Sequence, residues 1–186
     1  MFHVEHLSKN QRAKEKERVI PKEGTYPTTP PQKPTRLGLM ETSGEGIALI
    51  KKFEGCKLEA YQCSAGVWTI GYGHTAGVVS DDVITQEEAD SLLKEDLNEF
   101  ERYVLDYIDP DLDQNQFDAL VAWTFNLGPN NLRESTLLTR INSGDFEDVP
   151  HQIKRWNRAG GNVLDGLIRR REAESLLWLG KEWSHI

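Results

Sequence analysis

Three residues with chemically useful side chains lie close together in "FEGCKLEAYQCSAGVWTIGYGHT", residues 53–75. Glu54 carries a carboxyl, Cys63 a thiol and Thr69 a hydroxyl. A carboxyl beside apolar side chains favours its neutral form, as a proton donor near neutral pH requires. The thiol and the hydroxyl, on two β segments joined by a turn at Gly66, could face one cleft and hold a water molecule. A proton donor opposite a held water is the arrangement of an inverting glycosidase.

Each of these residues also has an ordinary structural interpretation. A glutamate at a helix end is usually solvated. A cysteine in a strand is more often a small buried hydrophobe, and a threonine in a strand often reflects β-propensity alone. Residue types therefore leave both interpretations open.

The elements around these residues can be predicted from caps and periodicity. Ser43 can cap a helix whose apolar residues recur at helical spacing, and Gly55 ends it, so Glu54 belongs to its last turn. From residue 57 to residue 79, glycines separate short β-prone runs such as "VWTI". This pattern predicts a small antiparallel sheet directly after the first helix.

The rest of the chain is predicted to be mostly helical. "TQEE", residues 85–88, is a capping box that opens a long amphipathic helix. In "QNQFDALVAWTFNLG", Asp113 provides the cap and Gly128–Pro129 the end, and the apolar composition predicts a central buried helix. Shorter helices are predicted at about 135–143, 146–157 and 166–179. The predicted class is α+β, with one helix, a small sheet and then a helical lobe.

Charge and proline divide the chain in two. The 186 residues carry a net charge of −8, but residues 1–39 hold eight Lys/Arg against four Glu (+4), and the remainder holds 14 against 26 acidic residues (−12). Residues 21–36 contain five prolines in sixteen positions. We therefore predict a basic, disordered extension over 1–39 and one catalytic domain over 40–186, with Met40 as a conceivable alternative start. The acidic body argues against nucleic acid as a partner.

Several classes of protein are disfavoured by what the sequence contains. No run approaches the roughly 18 consecutive apolar residues of a membrane span, and the first residues do not have the pattern of a secretory signal. The two cysteines and five histidines have no metal-ligand spacing, and no glycine-rich phosphate loop occurs. The expectation is a protein without metal or cofactor, without stable membrane insertion, that starts in the cytoplasm.

The order and spacing of Glu54, Cys63 and Thr69 resemble the Glu–Asp/Cys–Thr signature of glycoside hydrolase family 24, the lysozymes of lambdoid and T-even bacteriophages. The flanking "IKKFEG", "AYQC" and "GVWTIGYGHT" are similar to the same family. So are four later blocks, in the same order: "NQFDALVAWTFNLG", "STLLTRINSGDF", "IKRWNRAGG" and "GLIRRREAESLLW". The resemblance covers residues 44–180 and leaves out residues 1–39.

This resemblance implies a lysozyme-like fold with the active-site cleft between a small sheet lobe and a helical lobe. It implies hydrolysis of the β-1,4 bond between N-acetylmuramic acid and N-acetylglucosamine in peptidoglycan, with inversion. Glu54 would donate the proton, and Cys63 with Thr69 would position the attacking water. The substrate-binding positions that the resemblance implies are Tyr72, His74, Phe125, Asn126, Ser135, Arg155 and Trp156.

Other polar and aromatic residues receive structural assignments. We assign Trp68 and Trp123 to the core. We interpret the three consecutive arginines 169–171 as a partly solvated helix face with a salt bridge to Glu174.

Much of the family has Asp where this chain has Cys63, and a free thiol is mostly neutral at pH 7. Whether Cys63 acts as a base or only positions water therefore stays open.

A Cys56–Cys63 disulfide is an alternative that the short separation allows, although a reducing cytoplasm favours free thiols.

The leading functional hypothesis is a monomeric endolysin that waits in the host cytoplasm for a membrane lesion made by a separate holin. A virion-associated lysozyme, a catalytically dead binding module and a transglycosylase are the alternatives.

Overall fold

The computed structural model describes residues 40–63 and 65–186. The extension predicted over 1–39 lies outside the described residues. The elements of the described part are, in chain order, α1 (Gly44–Glu54), β1 (Lys57–Gln62), β2 (Trp68–Gly71), α2 (Gln86–Tyr107), α3 (Gln114–Leu127), α4 (Pro129–Glu134), α5 (Thr136–Asn142), α6 (Val149–Lys154), β3 (Arg158–Ala159), β4 (Asn162–Val163) and α7 (Asp165–Trp178). The predicted α+β class is confirmed, because a small antiparallel sheet precedes a mostly helical lobe.

Helix α1 begins and ends as predicted. The Ser43 side chain accepts a hydrogen bond from the Glu45 amide, which satisfies one of the free N–H groups of the first turn. Gly55 follows the helix with φ of 67°, a left-handed conformation that glycine adopts without a Cβ penalty, and its N–H donates to the Lys51 carbonyl. Glu54 is thus the last residue of α1, and Gly55 is its C-cap.

The predicted hairpin is present. Strands β1 and β2 are antiparallel, with Tyr61 opposite Thr69. The Cys63 amide donates to the Val67 carbonyl at 3.0 Å, and the Gly66 amide donates to the Cys63 carbonyl at 2.9 Å. Gly66 has φ of 78°, which explains why a glycine lies in this turn.

Helix α3 lies at the centre of the helical lobe. Every residue from 117 to 127 is buried, and α3 packs against α1, α2 and α7. Trp123 is fully buried, so its assignment to the core is confirmed. Trp68, the first residue of β2, is only half-buried, so its assignment to the core is wrong.

Short elements account for most differences from the predicted secondary structure. Helix α4 and strands β3 and β4 were not predicted, and α6 ends three residues earlier than expected. The two strands of the second hairpin have two residues each, which is too short for an alternating pattern to show. Gly160 and Gly161, with φ of 55° and 83°, form its turn. No helix among the described residues is long and apolar enough to span a bilayer.

Candidate active site

Glu54 is held in place by an arginine from the far end of the chain. Its side chain is 10% exposed, and its Oε1 accepts a hydrogen bond from Arg170 Nη1 at 2.8 Å. Arg170 lies on α7, 116 residues later in the sequence, and its guanidinium also lies 5.9 Å from the centre of the Phe53 ring. The setting of the carboxyl is therefore not only apolar, as predicted, but includes a buried ion pair.

The arginines of α7 are buried, which corrects the interpretation of a partly solvated face. The side chains of Arg170 and Arg171 are 4% and 1% exposed, and only Arg169 is at the surface. The predicted salt bridge to Glu174 is present: its Oε1 accepts from Arg170 Nε at 3.1 Å and from Arg171 Nη2 at 2.8 Å. Alternating charges allow this cluster to be buried, because each charge has an opposite neighbour.

The pKa values in this cluster follow from burial and from the neighbouring charges. Burial raises the pKa of Glu174, although the guanidinium groups of Arg171 and Arg170 oppose the shift. Burial lowers the pKa of Arg171 to about 10. For Arg170, burial has the same lowering effect, but the carboxylates of Glu54 and Glu174 outweigh it and leave its pKa raised.

Cys63 and Thr69 lie on the same face of the hairpin. Tyr61 is opposite Thr69, and Cys63 is two residues beyond Tyr61, so alternation of side chains along a strand places the thiol and the hydroxyl on one side. Thr69 is 2% exposed, and its hydroxyl donates to the Val67 carbonyl at 3.1 Å. The oxygen of that hydroxyl keeps lone pairs that can accept a hydrogen bond from water.

Both thiols are free. Cys63 and Cys56 are each half-buried, and Cys56 packs against the hydrophobic core. Gly55 and Cys56 form the whole link between the end of α1 and the start of β1. The proposed acid and the hairpin that carries the two water-holding candidates are therefore adjacent in the chain.

The two predicted binding residues after β2 are both engaged within the protein. Tyr72 is 8% exposed, and its hydroxyl accepts from Gln86 Nε2 at 2.9 Å. His74 Nδ1 lies 2.9 Å from Asp96 Oδ1, and its Nε2 lies 3.0 Å from the Ala76 carbonyl oxygen. Its side chain is 13% exposed, so part of the ring edge reaches the surface.

The predicted binding residues at the end of α3 and the start of α5 are almost fully buried. Phe125 is 1% exposed and packs edge-on against Phe100, so it belongs to the core rather than to the wall of a groove. The Asn126 side-chain oxygen accepts from Arg171 Nη2 at 2.8 Å. Ser135 caps α5, accepting from the Leu138 amide. The partner of Ser135 lies three residues later, so its cap is a local signal. The packing roles of Phe125 and Asn126 were not visible in the sequence, because their partners come from other helices.

Arg155 and Trp156 follow α6 and keep contact with solvent. Arg155 is exposed and donates to Gln152 Oε1 at 2.9 Å. Trp156 is half-buried, with its ring edge-on to Trp123 at 5.1 Å.

In the part of the chain that the structure describes, no group of three or more His, Cys, Asp or Glu side chains could hold a metal ion.

Sequence reasoning missed Arg170 and Glu174 as parts of the site. A signal for them was available, because helical periodicity places both on the face that also carries Leu167 and Leu177. Charged residues on the apolar face of a helix are buried, and buried charges require partners. The sequence could not indicate that one partner would be Glu54.

Comparison with known proteins gives consistent matches. The profile of the family described as phage lysozyme matches residues 51–174. The endolysin of Acyrthosiphon pisum secondary endosymbiont phage 1 is 43% identical over 75% of this chain and 98% of that protein. The muramidase domain of SpmX from Asticaccaulis excentricus is 39% identical, with a TM-score of 0.72 over 75% of this chain and 97% of that one.

One further relative has been solved in two forms. The active form of the P1 phage endolysin Lyz matches with a TM-score of 0.70, 29% identity, and coverage of 77% of this chain and 87% of that one. Its secreted inactive form matches with a TM-score of 0.52, 25% identity, and coverage of 75% and 96%. The described conformation is therefore more similar to the active form. Together with the solved phage lysozymes, these structures confirm the predicted lysozyme-like fold.

Proposed function

The chain belongs to the phage lysozyme family, and from this membership we propose that it is an endolysin that lyses the host cell. Its reaction is hydrolysis of the β-1,4 bond between N-acetylmuramic acid and N-acetylglucosamine in peptidoglycan. The observation that carries the proposal is the position of Glu54. It ends α1, is largely buried, and is joined by a two-residue link to the hairpin that carries Cys63 and Thr69 on one face.

In the proposed mechanism, Glu54 gives its proton to the glycosidic oxygen as the bond to the anomeric carbon breaks. The carboxylate that remains lies beside the Arg170 guanidinium, at 2.8 Å in the structure. A fixed positive charge at that place stabilises the anion as it forms.

The attacking water approaches from the opposite face of the sugar. The Thr69 hydroxyl, whose proton is engaged by the Val67 carbonyl, accepts a hydrogen bond from that water, and the Cys63 thiol is the second contact. The anomeric carbon is electron-poor in an oxocarbenium-like transition state, so a positioned water needs little help from a base. Attack from this side gives inversion. The sugar gains the hydroxyl of the water, the leaving group keeps the proton from Glu54, and the second proton of the water passes to bulk solvent, from which Glu54 is reprotonated.

Three of the predicted binding residues retain surface that a saccharide could contact. His74, Arg155 and Trp156 are partly or fully exposed, and we propose that they border the substrate. Tyr72, Asn126 and Ser135 support the site from inside the protein, through the hydrogen bonds described above.

Substitution of Glu54 with Gln tests the acid. The two side chains have similar volume, but the amide cannot donate the proton, so wall-clearing activity should fall by about 10²–10⁴-fold. Arg170 keeps its ion pair with Glu174 in this variant, and far-UV circular dichroism verifies that the assayed protein is folded. Glu59→Gln, the same change at an exposed position of β1, is the matched control and should keep full activity. Wall clearing by Glu54→Gln at the parental rate would exclude Glu54 as the acid.

Product analysis tests hydrolysis and inversion. Mass spectrometry should show a reducing end that incorporates oxygen from ¹⁸O-labelled water, whereas a transglycosylase would leave an anhydro sugar without the label. Proton NMR of a soluble fragment should show the α-anomer first. An initial β-anomer would mean retention and would contradict the role given to Cys63 and Thr69.

We also propose that the protein acts as a monomer and reaches the wall through a lesion made by a separate holin. Lysis of a host that expresses the protein with and without a holin, and size-exclusion chromatography, test these two points. Presence of the protein in purified virions would favour a virion-associated lysozyme instead.

A further inference from the structure

A continuous chain of side-chain hydrogen bonds connects the proposed acid to the end of α3. Arg170 donates from Nη1 to Glu54 and from Nε to Glu174. Glu174 Oε1 also accepts from Arg171 Nη2, and that same nitrogen donates to the Asn126 oxygen at 2.8 Å. The connection runs from α1 through α7 to α3, and all its members are at most 10% exposed.

The contacts of Arg170 determine where its Nη1 can lie. A guanidinium is planar, with its donors in a rigid fork. Nε is bound to Glu174 at 3.1 Å, and Nη2 lies 3.3 Å from the Ala122 carbonyl oxygen. Two fixed corners of a planar group fix the third, so the carboxylate of Glu174 helps to determine the position of the nitrogen that holds Glu54.

The charges of the cluster also depend on Glu174. Among the described residues, the charged groups that act on it are Arg171 and Arg170 on its own helix and Glu54 on α1. Helix α3, which packs against the same helix, contributes neutral groups at this point, the Ala122 carbonyl and the Asn126 amide. Without the charge of Glu174, two buried guanidinium groups would share one carboxylate.

We propose that Glu174 is a positioning residue for the reaction, because it fixes the Arg170 guanidinium that holds Glu54 and, through Arg171, the amide of Asn126. This inference rests on the proposed function of the site. Glu174 touches neither the substrate nor the reacting atoms. Its contribution is to the geometry of the acid, and a displacement of about 1 Å of a reacting group can reduce a rate by about 100-fold.

The test is Glu174→Gln in the full chain, assayed on a soluble peptidoglycan fragment so that kcat and KM are separated. We expect kcat per folded molecule to fall about 10- to 100-fold, with KM within about twofold of the parent, because substrate contacts are retained. Glu172→Gln is the matched control. Glu172 lies on the same helix but is half-exposed and pairs with Lys154 at the surface, and its substitution should leave kcat unchanged.

A second comparison separates positioning from a merely structural role. If Glu174 acts through Glu54, then Glu174→Gln should cause no further loss in a Glu54→Gln background, because residues that act as a unit are not additive. If Glu174→Gln does not fold, Glu174→Asp carries the test. It keeps the charge but shortens the side chain, and it should also lower kcat.

Two outcomes would overturn the inference. One is a folded Glu174 variant with parental kcat. The other is an equal fractional loss in the parent and in the Glu54→Gln background. Failure of the proposed function is recognised separately, because it would appear as full activity of Glu54→Gln alone.

Discussion

Replacement of Arg170 with Met removes the cation that Glu54 and Glu174 share. Methionine is long and unbranched, so it can occupy much of the same space without the charge. Arg171 still pairs with Glu174 in this variant, but the carboxylate of Glu54 is left largely buried without its ion-pair partner. We expect the free energy of unfolding to fall strongly.

The magnitude follows from the contacts that are lost. Removing one partner of a buried ion pair costs roughly 3–5 kcal/mol, because the remaining charge stays buried and unpaired. The hydrogen bond to the Ala122 carbonyl adds about 1 kcal/mol. The expected loss is about 4–6 kcal/mol, which for a domain of this size is a decrease in melting temperature of roughly 8–24 °C.

Urea titration at pH 7, followed by far-UV circular dichroism, measures the loss. Arg169→Met is the control, because Arg169 is the exposed neighbour on the same helix and its substitution should change stability by no more than about 0.5 kcal/mol. The double variant Arg170→Met/Glu54→Gln should recover part of the loss, since one unpaired carboxylate is removed. A loss below about 1 kcal/mol for Arg170→Met, or an equal loss for the control, would refute the reasoning.

Two further substitutions test the first helix. Gly46→Ala would place a Cβ 2.6 Å from the Cγ2 atom of Thr42, so we expect the free energy of unfolding, measured by thermal melts, to fall by roughly 1–3 kcal/mol. Gly44→Ala, whose Cβ would have nothing within 4 Å, is the control and should cause no loss. Equal stability of the two variants would contradict the close packing at Gly46. Lys51→Met removes the hydrogen bond, 2.7 Å long, that is the main cause of the lowered pKa of Asp90. The folded pKa of Asp90 is below the value of 3.8 for a free side chain, so its stabilising contribution is present above that value and is lost as the pH falls through the folded pKa. An NMR titration of the variant should show the Asp90 midpoint moving up towards 3.8, and an unchanged midpoint would mean that Lys51 is not the cause.

The parts of the fold that the sequence predicted correctly are those with local signals. Ser43 and Gly55 bound α1, and Thr85 with Glu88 forms the predicted capping box of α2. Glycine turns and β-prone runs predicted the first hairpin. These signals involve residues a few positions apart, so they can be read from a short window of sequence. The missed elements, such as β3 and β4, are shorter than the window that a periodic pattern needs.

The parts of the site that the sequence did not reveal depend on contacts between distant residues. The "RRREAE" segment looks like a charged surface when it is read alone. Helical periodicity places Arg170 and Glu174 on the apolar face of α7, but it does not indicate which charges they will meet. Phe125 is similar, since a residue at a helix end can face a groove or the core. The outcome depends on which elements pack around it, and here α2 contributes Phe100.

Residue order and spacing were therefore sufficient to predict the elements that carry Glu54, Cys63 and Thr69, because short-range hydrogen bonds and turn geometry determine those elements. The roles of these three residues as acid and water-holding groups stay predictions. Only the packing of α7 against α1 and α3 gave Glu54 its partner and joined it to Glu174 and Asn126. The physical reason is distance along the chain. Arg170 is 116 residues from Glu54, and no local preference specifies which buried charge will meet it until the helices have packed.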